Sequence, residues 1–294
     1  MTADVLQLGN GALSIELSRF GGSILSGSYC GIPLFRPART DGLASRRHGA
    51  EASFPLVPFG NRLEGNSFIL SGHRFALAPN ASDPCYLHGD GWLAAWEVVS
   101  HSETEACLRY EHGAVAPGPY AYDAVQHFRV AADRLSLTLS VTNRSAFALP
   151  MGLGHHPFFP KPAGTRLTAK ADRFWTERAG HLPDQSGPIP GDLDFAGGNR
   201  IPPHWLNNAY EGWDGKAIVE WPELDLCLEI AAPAPFRHFM LYAPEDADFL
   251  CFEPMTHLPN GHHLPHLGGL SVLDNGQSLV ATMTLSPRLI SQER

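Results

Sequence analysis

The run GHHPFF, residues 154 to 159, places an imidazole, His156, between a second histidine and a proline followed by two aromatic residues. Proline fixes its own backbone φ angle and restricts the preceding residue to extended geometry, so the side chain of His156 should have a defined direction. An imidazole held against aromatic rings is suited to protonating a neutral, ring-shaped substrate. His155 should point to the opposite side of an extended segment, so at most one of the two imidazoles faces a given pocket.

A carboxylate, Glu253, interrupts the otherwise apolar run LCFEPM. A glutamate is rarely buried unless it is paired or used, and burial raises its pKa toward the neutral range in which a carboxylate is an effective base. Glu253 is therefore a candidate general base, and a structural role beside an arginine or backbone amides is the alternative. Cys251 stands between Leu250 and Phe252, a context that predicts a buried and inert thiol.

Two further segments combine polar side chains with turn residues. His88 opens HGDGW, in which the glycines permit a tight turn and Trp92 offers an apolar face to a ligand. Arg62, in PFGNRLEGNSF, follows an apolar strand and precedes a glycine turn, where it suits either a donor fork over a cleft or a surface ion pair. Taken singly, each segment fits the structural interpretation better: a histidine that caps a turn and an arginine at the surface.

The histidine-rich run THLPNGHHLPHLGG raises the alternative of a metal-dependent enzyme, through His257, His262, His263 and His266. The run has neither an HExxH motif nor paired cysteines, and a loop of proline and glycine gives ligands no fixed face, so we expect no bound metal. The chain also has no GxSxG nucleophile elbow and no GxxxxGK[ST] phosphate loop. We therefore expect acid–base chemistry without a cofactor.

The composition of the chain limits which partners the protein can bind and where in the cell it is expected. The chain has 30 acidic and 21 basic residues and a formal net charge of -9, so a basic surface for nucleic acid or for an anionic membrane is not expected. The first residues alternate like a strand and do not resemble a signal peptide, and no apolar stretch is long enough to cross a membrane. Five widely spaced cysteines without a CxxC motif argue against disulfides and predict a cytoplasmic location.

Alternation of apolar and polar residues with a period of two predicts antiparallel strands at 13–18, 135–142, 226–230 and 279–285. No segment has a convincing helical period, and 29 glycines and 25 prolines punctuate the chain at short intervals. These features predict an all-β fold, a sandwich or barrel of many short strands, in one domain over residues 1–294. Residues 36–52 and 180–215 are predicted to be long loops.

Five runs together resemble the aldose 1-epimerase family, the galactose mutarotases, and their order matches over nearly the whole chain. The runs are PLVPFGNRLEGNSF (55–68), LHGDGW (87–92), MGLGHHPFF (151–159), LNNAYEGWDG (206–215) and FEP (252–254). The chain looks most like a compact bacterial branch and less like the hexose-6-phosphate branch, whose extra cationic phosphate contacts cannot be placed in this sequence. The resemblance implies a single large antiparallel β-sandwich, the galactose mutarotase-like supersandwich, whose broad concave face binds a monosaccharide such as galactose or glucose.

The resemblance also implies roles for individual residues. His156 matches the family's general acid and Glu253 its general base. Arg62 and His88 match residues that contact sugar hydroxyls or the ring oxygen, and Asn61 precedes the arginine as the family pattern expects.

One position departs from the family pattern. Asn207 stands where the family usually carries a sugar-binding aspartate, in a run resembling LDxxF. An amide cannot accept two charge-assisted hydrogen bonds, so we expect weakened or redirected sugar recognition. The implied activity is interconversion of the α and β anomers of an aldohexose by a monomer or homodimer. A non-catalytic carbohydrate-binding or sugar-sensing protein on the same fold is the alternative.

Overall fold

The computed structural model describes residues 5–39 and 49–293. Strands dominate this part of the chain, and its helices are short 3-10 turns. The strands are β1 Val5–Gly9, β2 Leu13–Ser18, β3 Ser23–Tyr29, β4 Ile32–Pro33, β5 Ser53–Leu56, β6 Arg62–Leu63, β7 Ser67–Leu70, β8 His73–Ala76, β9 Tyr86–Leu87, β10 Glu97–His101, β11 Glu105–His112, β12 Tyr122–Ala131, β13 Arg134–Asn143, β14 Leu149–Met151, β15 Gly154–Pro160, β16 Arg166–Ala169, β17 Arg173–Arg178, β18 Leu182–Gly187, β19 Asn199–Arg200, β20 Leu206–Glu211, β21 Lys216–Trp221, β22 Leu226–Ala231, β23 His238–Ala243, β24 Phe249–Met255, β25 Ser271–Leu273 and β26 Ser278–Leu289.

The 3-10 turns lie between strands or close the chain. They are Glu64–Asn66, Gly91–Leu93, Gly191–Leu193, Pro222–Leu224, Gly261–His263, Pro265–Gly269 and Ile290–Glu293. None of the helices in the described ranges is long and apolar enough to cross a lipid bilayer.

Two large antiparallel sheets form the sandwich. One sheet has 11 strands in the order β1-β2-β3-β5-β15-β24-β23-β20-β17-β18, with β4 paired to β3. The other has nine strands in the order β10-β11-β12-β13-β26-β22-β21-β16-β19. The predicted all-β, antiparallel sandwich is confirmed, and the four strands predicted from alternation coincide with β2, β13, β22 and β26.

Alternation along these strands divides the apolar side chains into two clusters. The larger cluster contains Leu137 and Leu139 of the nine-stranded sheet together with Leu250 and Phe252 of the 11-stranded sheet, so it fills the space between the two sheets. A second, smaller cluster contains Phe54, Leu56, Phe158, Cys251 and Met255. Because successive side chains of a strand point to opposite faces, the second cluster lies on the other face of the 11-stranded sheet.

The predicted loop at 180–215 is wrong, since the segment contains β18, β19 and β20. Strand β20 pairs with both β17 and β23 and is an interior strand of its sheet. Its two adjacent asparagines, Asn207 and Asn208, remove the apolar alternation on which the prediction depended. For the other predicted loop, residues 36–39 and 49–52 carry no strand, and residues 40–48 lie outside the described residues.

Candidate active site

Strand pairing brings His156 and Glu253 together in the middle of the 11-stranded sheet. Strands β15 and β24 are antiparallel neighbours whose register pairs Gly154 with Met255 and Phe158 with Cys251. Counting inward from both pairs places His156 opposite Glu253, with Nε2 3.3 Å from Oε1. Both residues are almost completely buried, with exposed fractions of 4% and 2%. The two residues that the sequence proposes as acid and base are therefore direct cross-strand neighbours.

Two aromatic rings contact the imidazole of His156. Phe54 stacks at a centroid distance of 4.5 Å and Phe158 at 4.8 Å, and the two phenylalanine rings are themselves neighbours at 6.3 Å. The second aromatic residue of the GHHPFF run, Phe159, turns to the opposite face and stacks on Phe35 in the main core. One of the two rings, Phe54, thus comes from β5, a strand that lies outside the GHHPFF run.

The neighbouring histidine occupies a different environment. His155 lies near the ring of Phe236, a member of the main core, so its side chain points away from His156 as an extended strand requires. Complete burial lowers the pKa of His155 to about 4. His155 is therefore neutral at physiological pH and belongs to the core rather than to the cavity.

Glu253 lies in an environment that disfavours its charged form. Burial raises the pKa of Glu253 from 4.5 to about 8, and the nearby positive charge of Arg62 acts in the opposite direction. Its Oε2 atom is buried and has no hydrogen-bond partner among the described residues. An unsatisfied buried acceptor costs roughly 1–3 kcal/mol, so a hydroxyl group arriving in the cavity would gain by donating to it.

His88 and Asn61 hold each other through reciprocal hydrogen bonds. The backbone N–H of Asn61 donates to His88 Nδ1 at 3.0 Å, and the backbone N–H of His88 donates to the carbonyl oxygen of Asn61 at 3.0 Å. Because Nδ1 accepts, the neutral imidazole carries its proton on Nε2, where it is a donor. The short strands β6 and β9, which pair Arg62 with Leu87, bring the two segments side by side.

A glycine makes this arrangement possible. Gly89 has a positive φ of 71°, and a Cβ atom there would lie 1.9 Å from the carbonyl oxygen of Val57. Only glycine permits such a close approach of two backbones. The first glycine of the HGDGW run is thus explained by backbone packing beside the site.

Arg62 lines the cavity with its guanidinium group already oriented. Its Nε donates to Asp83 Oδ2 at 2.9 Å, and its Nη2 lies 2.8 Å from the same oxygen. Both side chains are mostly shielded, with exposed fractions of 17% and 15%. The sequence analysis gave two alternatives for Arg62, a surface ion pair and a donor fork over a cleft. In the structure Arg62 forms an ion pair with Asp83 and also lines the cavity.

Asn207 lies beside a carboxylate that the sequence analysis did not single out, Glu177 of β17. The amide nitrogen of Asn207 donates to Glu177 Oε1 at 2.6 Å, and Trp205 Nε1 donates to Oε2 at 2.7 Å. His181 Nδ1 lies 2.6 Å from Oε1. Burial opposes ionisation of Glu177, but hydrogen bonds from these three side chains lower its pKa below the ordinary value. We call Glu177, His181, Trp205 and Asn207 the rim.

The site residues surround a cavity of about 350 Å³. Pockets for small molecules typically measure about 300–1,000 Å³, so this cavity is at the small end of the range. All six residues that the sequence analysis proposed for the site contribute to its wall. The lining consists of Arg36, Arg39, Gly49, Asn61, Arg62, His88, His156, Phe158, His181, Trp205, Asn207, Tyr242, Phe249 and Glu253.

One group of side chains has the composition of a metal site. The donor atoms of His156, Cys251 and Glu253 lie within 4.8 Å of one another. Metal ions bind the thiolate form of cysteine, whereas complete burial raises the pKa of the Cys251 thiol well above its ordinary value. The donor set therefore fits a metal poorly, and it fits proton transfer between His156 and Glu253 well.

The histidine-rich run does not form a ligand cluster in the described part of the chain. His257 Nε2 accepts a hydrogen bond from the backbone N–H of Gly60 at 2.9 Å. His262 Nε2 lies 2.9 Å from the hydroxyl of Tyr120. These imidazoles connect the loop to neighbouring segments, which is a structural role.

Comparison with known proteins agrees with this architecture. The family model for aldose 1-epimerase matches residues 4–286. The uncharacterized protein YphB of Escherichia coli (strain K12) is 40% identical over 296 residues, which cover 96% of this chain and 98% of that protein. The crystal structure of a candidate aldose 1-epimerase from Escherichia coli K12 matches with a TM-score of 0.91 at 38% identity, covering 97% of this chain and 99% of that one.

A more distant structure shares the fold. A galactose mutarotase-like protein from Clostridium acetobutylicum has a TM-score of 0.83 at 16% identity, with coverage of 96% and 94% of the two chains. The extent of the family match, together with the identity to the Escherichia coli protein over nearly its full length, shows that this chain belongs to the aldose 1-epimerase family.

Proposed function

We propose that the protein is an aldose 1-epimerase that interconverts the α and β anomers of an aldohexose by opening and closing the sugar ring. The observation that carries the proposal is the contact of 3.3 Å between His156 Nε2 and Glu253 Oε1 in a cavity with room for a small molecule. The anomeric hydroxyl and the ring oxygen are bonded to the same carbon atom. An acid and a base that serve both oxygens must therefore lie close together.

Ring opening needs two proton transfers. Glu253 removes the proton of the anomeric hydroxyl, and protonated His156 donates a proton to the ring oxygen as its bond to the anomeric carbon breaks. The open aldehyde then rotates about its bond to the next carbon. Closure from the other face reverses the two roles, so both groups return to their starting protonation states.

The surroundings of the pair suit this cycle. Burial disfavours the Glu253 carboxylate, and two features favour it: the positive charge of Arg62 and hydroxyl donors from a bound sugar. Phe54 and Phe158 keep the imidazole of His156 in one orientation. His88 would donate from Nε2 to a sugar oxygen, and Arg62 and Asn207 line the same cavity.

Replacement of the family aspartate by Asn207 favours a second candidate, a protein that binds a sugar without catalysis. Exchange between anomers, measured by NMR at equilibrium for a panel of aldoses, separates the two candidates. We expect exchange well above the buffer rate for at least one aldose and loss of the excess in Glu253→Gln. Saturable binding with exchange at the buffer rate for every aldose would reject catalysis and select the binding protein.

A further inference from the structure

We propose that Glu177 is a positioning residue that turns the carbonyl oxygen of Asn207 toward the sugar. The pair would restore the acceptor that the family aspartate provides, without placing a negative charge in the cavity wall. This inference rests on the proposed function in that it assumes an aldose in the same cavity.

The two side chains face each other across a strand pair. Strands β17 and β20 are antiparallel, and their register pairs Arg173 with Glu211 and Trp175 with Ala209. This pairing ends at Trp175 and Ala209, and β17 is irregular between Trp175 and Glu177 where it pairs with β18. Beyond that point Glu177 still reaches Asn207, whose amide nitrogen lies 2.6 Å from Oε1, so a side-chain hydrogen bond holds this contact.

Chemistry decides which end of the amide faces the carboxylate. An ionised carboxylate only accepts hydrogen bonds, so the NH₂ group of Asn207 must face Glu177 and the carbonyl oxygen must point elsewhere. No described residue donates to that carbonyl oxygen, and Asn207 lines the cavity. On this proposal the carbonyl oxygen faces the cavity, where a sugar hydroxyl can donate to it.

The carboxylate is itself held in place from two further sides. Trp205 Nε1 donates to Oε2 at 2.7 Å, and His181 Nδ1 lies 2.6 Å from Oε1. Three donors on one carboxylate stabilise its charged form, so Glu177 stays ionised through the neutral pH range. An ionised Glu177 permits one orientation of Asn207 and opposes the other.

This arrangement makes Asn207 and Glu177 a unit in which either residue depends on the other. An aspartate at 207, as in the family pattern, would place two carboxylates in contact across the strand pair. Like charges directly opposite on a sheet repel each other. A glutamine at 177 would remove that repulsion, because its amide can donate to an aspartate.

The test is a double-mutant cycle of Asn207→Asp and Glu177→Gln, with aldose dissociation constants from ligand-observed NMR titration. We expect each single variant to bind the sugar about tenfold more weakly, the scale of one hydrogen bond to a charged group. The double variant should return to within about threefold of wild type. The change should appear in KM, with kcat nearly constant.

Two further readouts separate positioning from damage to the fold. Binding by Asn207→Asp should improve as the pH falls, because protonation of one carboxyl ends the repulsion, whereas a misfolded rim would not recover. Glu211→Gln is the matched control: Glu211 accepts an indole N–H from Trp175 at 3.0 Å across the same strand pair but does not line the cavity. We expect its sugar affinity to be unchanged.

Additive losses in the cycle, without rescue in the double variant, would overturn the inference, as would wild-type protein that binds none of the aldoses. Failure of the proposed function looks different. In that case wild-type protein binds an aldose without speeding anomer exchange, while the coupling between positions 177 and 207 is still measurable by binding.

Discussion

The His156–Glu253 pair and the rim lie on the same face of the same sheet, yet they are held in different ways. The pair stands on two interior strands, with exposed fractions of 4% and 2%, and its geometry follows from strand register and packing. The rim stands on β17, β20 and their flanking turns, and Trp205 is 40% exposed. Side-chain hydrogen bonds to one carboxylate hold the rim together.

This difference suggests a division of labour between the two regions. Proton transfer needs atoms fixed within a fraction of an ångström, and a buried cross-strand pair provides that precision. Recognition of hydroxyl groups tolerates adjustable contacts nearer the solvent. We therefore expect changes to the pair to alter rate and changes to the rim to alter affinity.

The largest effect is expected for Glu253→Gln, which removes the base and keeps the shape of the side chain. The turnover number for anomerisation, measured by polarimetry, should fall about 10²- to 10⁴-fold while sugar affinity changes little. Glu51→Gln is the control, because Glu51 is also a buried glutamate with a raised pKa but does not line the cavity. A Glu253→Gln variant as fast as wild type would remove Glu253 from the mechanism.

The next effect is a bell-shaped dependence of the anomerisation rate on pH. Because Glu253 and His156 are in contact, they titrate as a coupled pair, and both limbs of the profile belong to the pair. Burial raises the pKa of Glu253 to about 8, so the rising limb should lie well above pH 4.5, and outside the two limbs the rate should fall about tenfold per pH unit. A profile that stays flat at the buffer rate would contradict both assignments.

A smaller effect is expected for His88→Asn. Asparagine tolerates the positive φ of 59° at this position, so the backbone is kept while the Nε2 donor is lost. Sugar affinity should fall about tenfold, the equivalent of one hydrogen bond of roughly 1.4 kcal/mol. His73→Asn, on the exposed strand β8, is the control for NMR titration, and equal affinities of the two variants would exclude His88 from binding.

The last effect concerns stability rather than activity. Between pH 4.5 and 8 the folded protein keeps the proton of Glu253 that the unfolded chain releases, because burial raises the pKa of that carboxyl. The free energy of unfolding of wild type should therefore decrease with rising pH relative to Glu253→Gln, by up to about 5 kcal/mol across this range, since about 3.5 pH units at about 1.4 kcal/mol each separate the two pKa values. Urea denaturation at several pH values measures this difference, and parallel curves for the two proteins would contradict the raised pKa.

The two regions also differ in how far the sequence predicted them. His156 and Glu253 stand in apolar runs that are themselves strands, so alternation identifies the side on which each residue lies. Their partnership, however, was taken from the family resemblance, because pairing of β15 with β24 joins segments about a hundred residues apart in a way that periodicity cannot show.

The rim was largely missed for a physical reason. Its strands carry polar residues toward the cavity, and Asn207 and Asn208 in β20 read as a loop. Glu177 becomes recognisable only when β17 and β20 are known to be neighbours and its contact with Asn207 is seen. Asp83, which orients Arg62, was missed for a similar reason. The two residues are 21 positions apart in the chain, and only the folded structure brings them together.

The alternation along β24 has a consequence for how this protein can change over generations. Leu250 and Phe252 face the space between the sheets, while Glu253 faces the cavity. Under the proposed function, substitutions on the cavity side act first on which sugar is admitted, and those on the inner side act first on whether the chain still folds. A change of sugar preference is therefore expected to arise most readily at the rim, away from the main core.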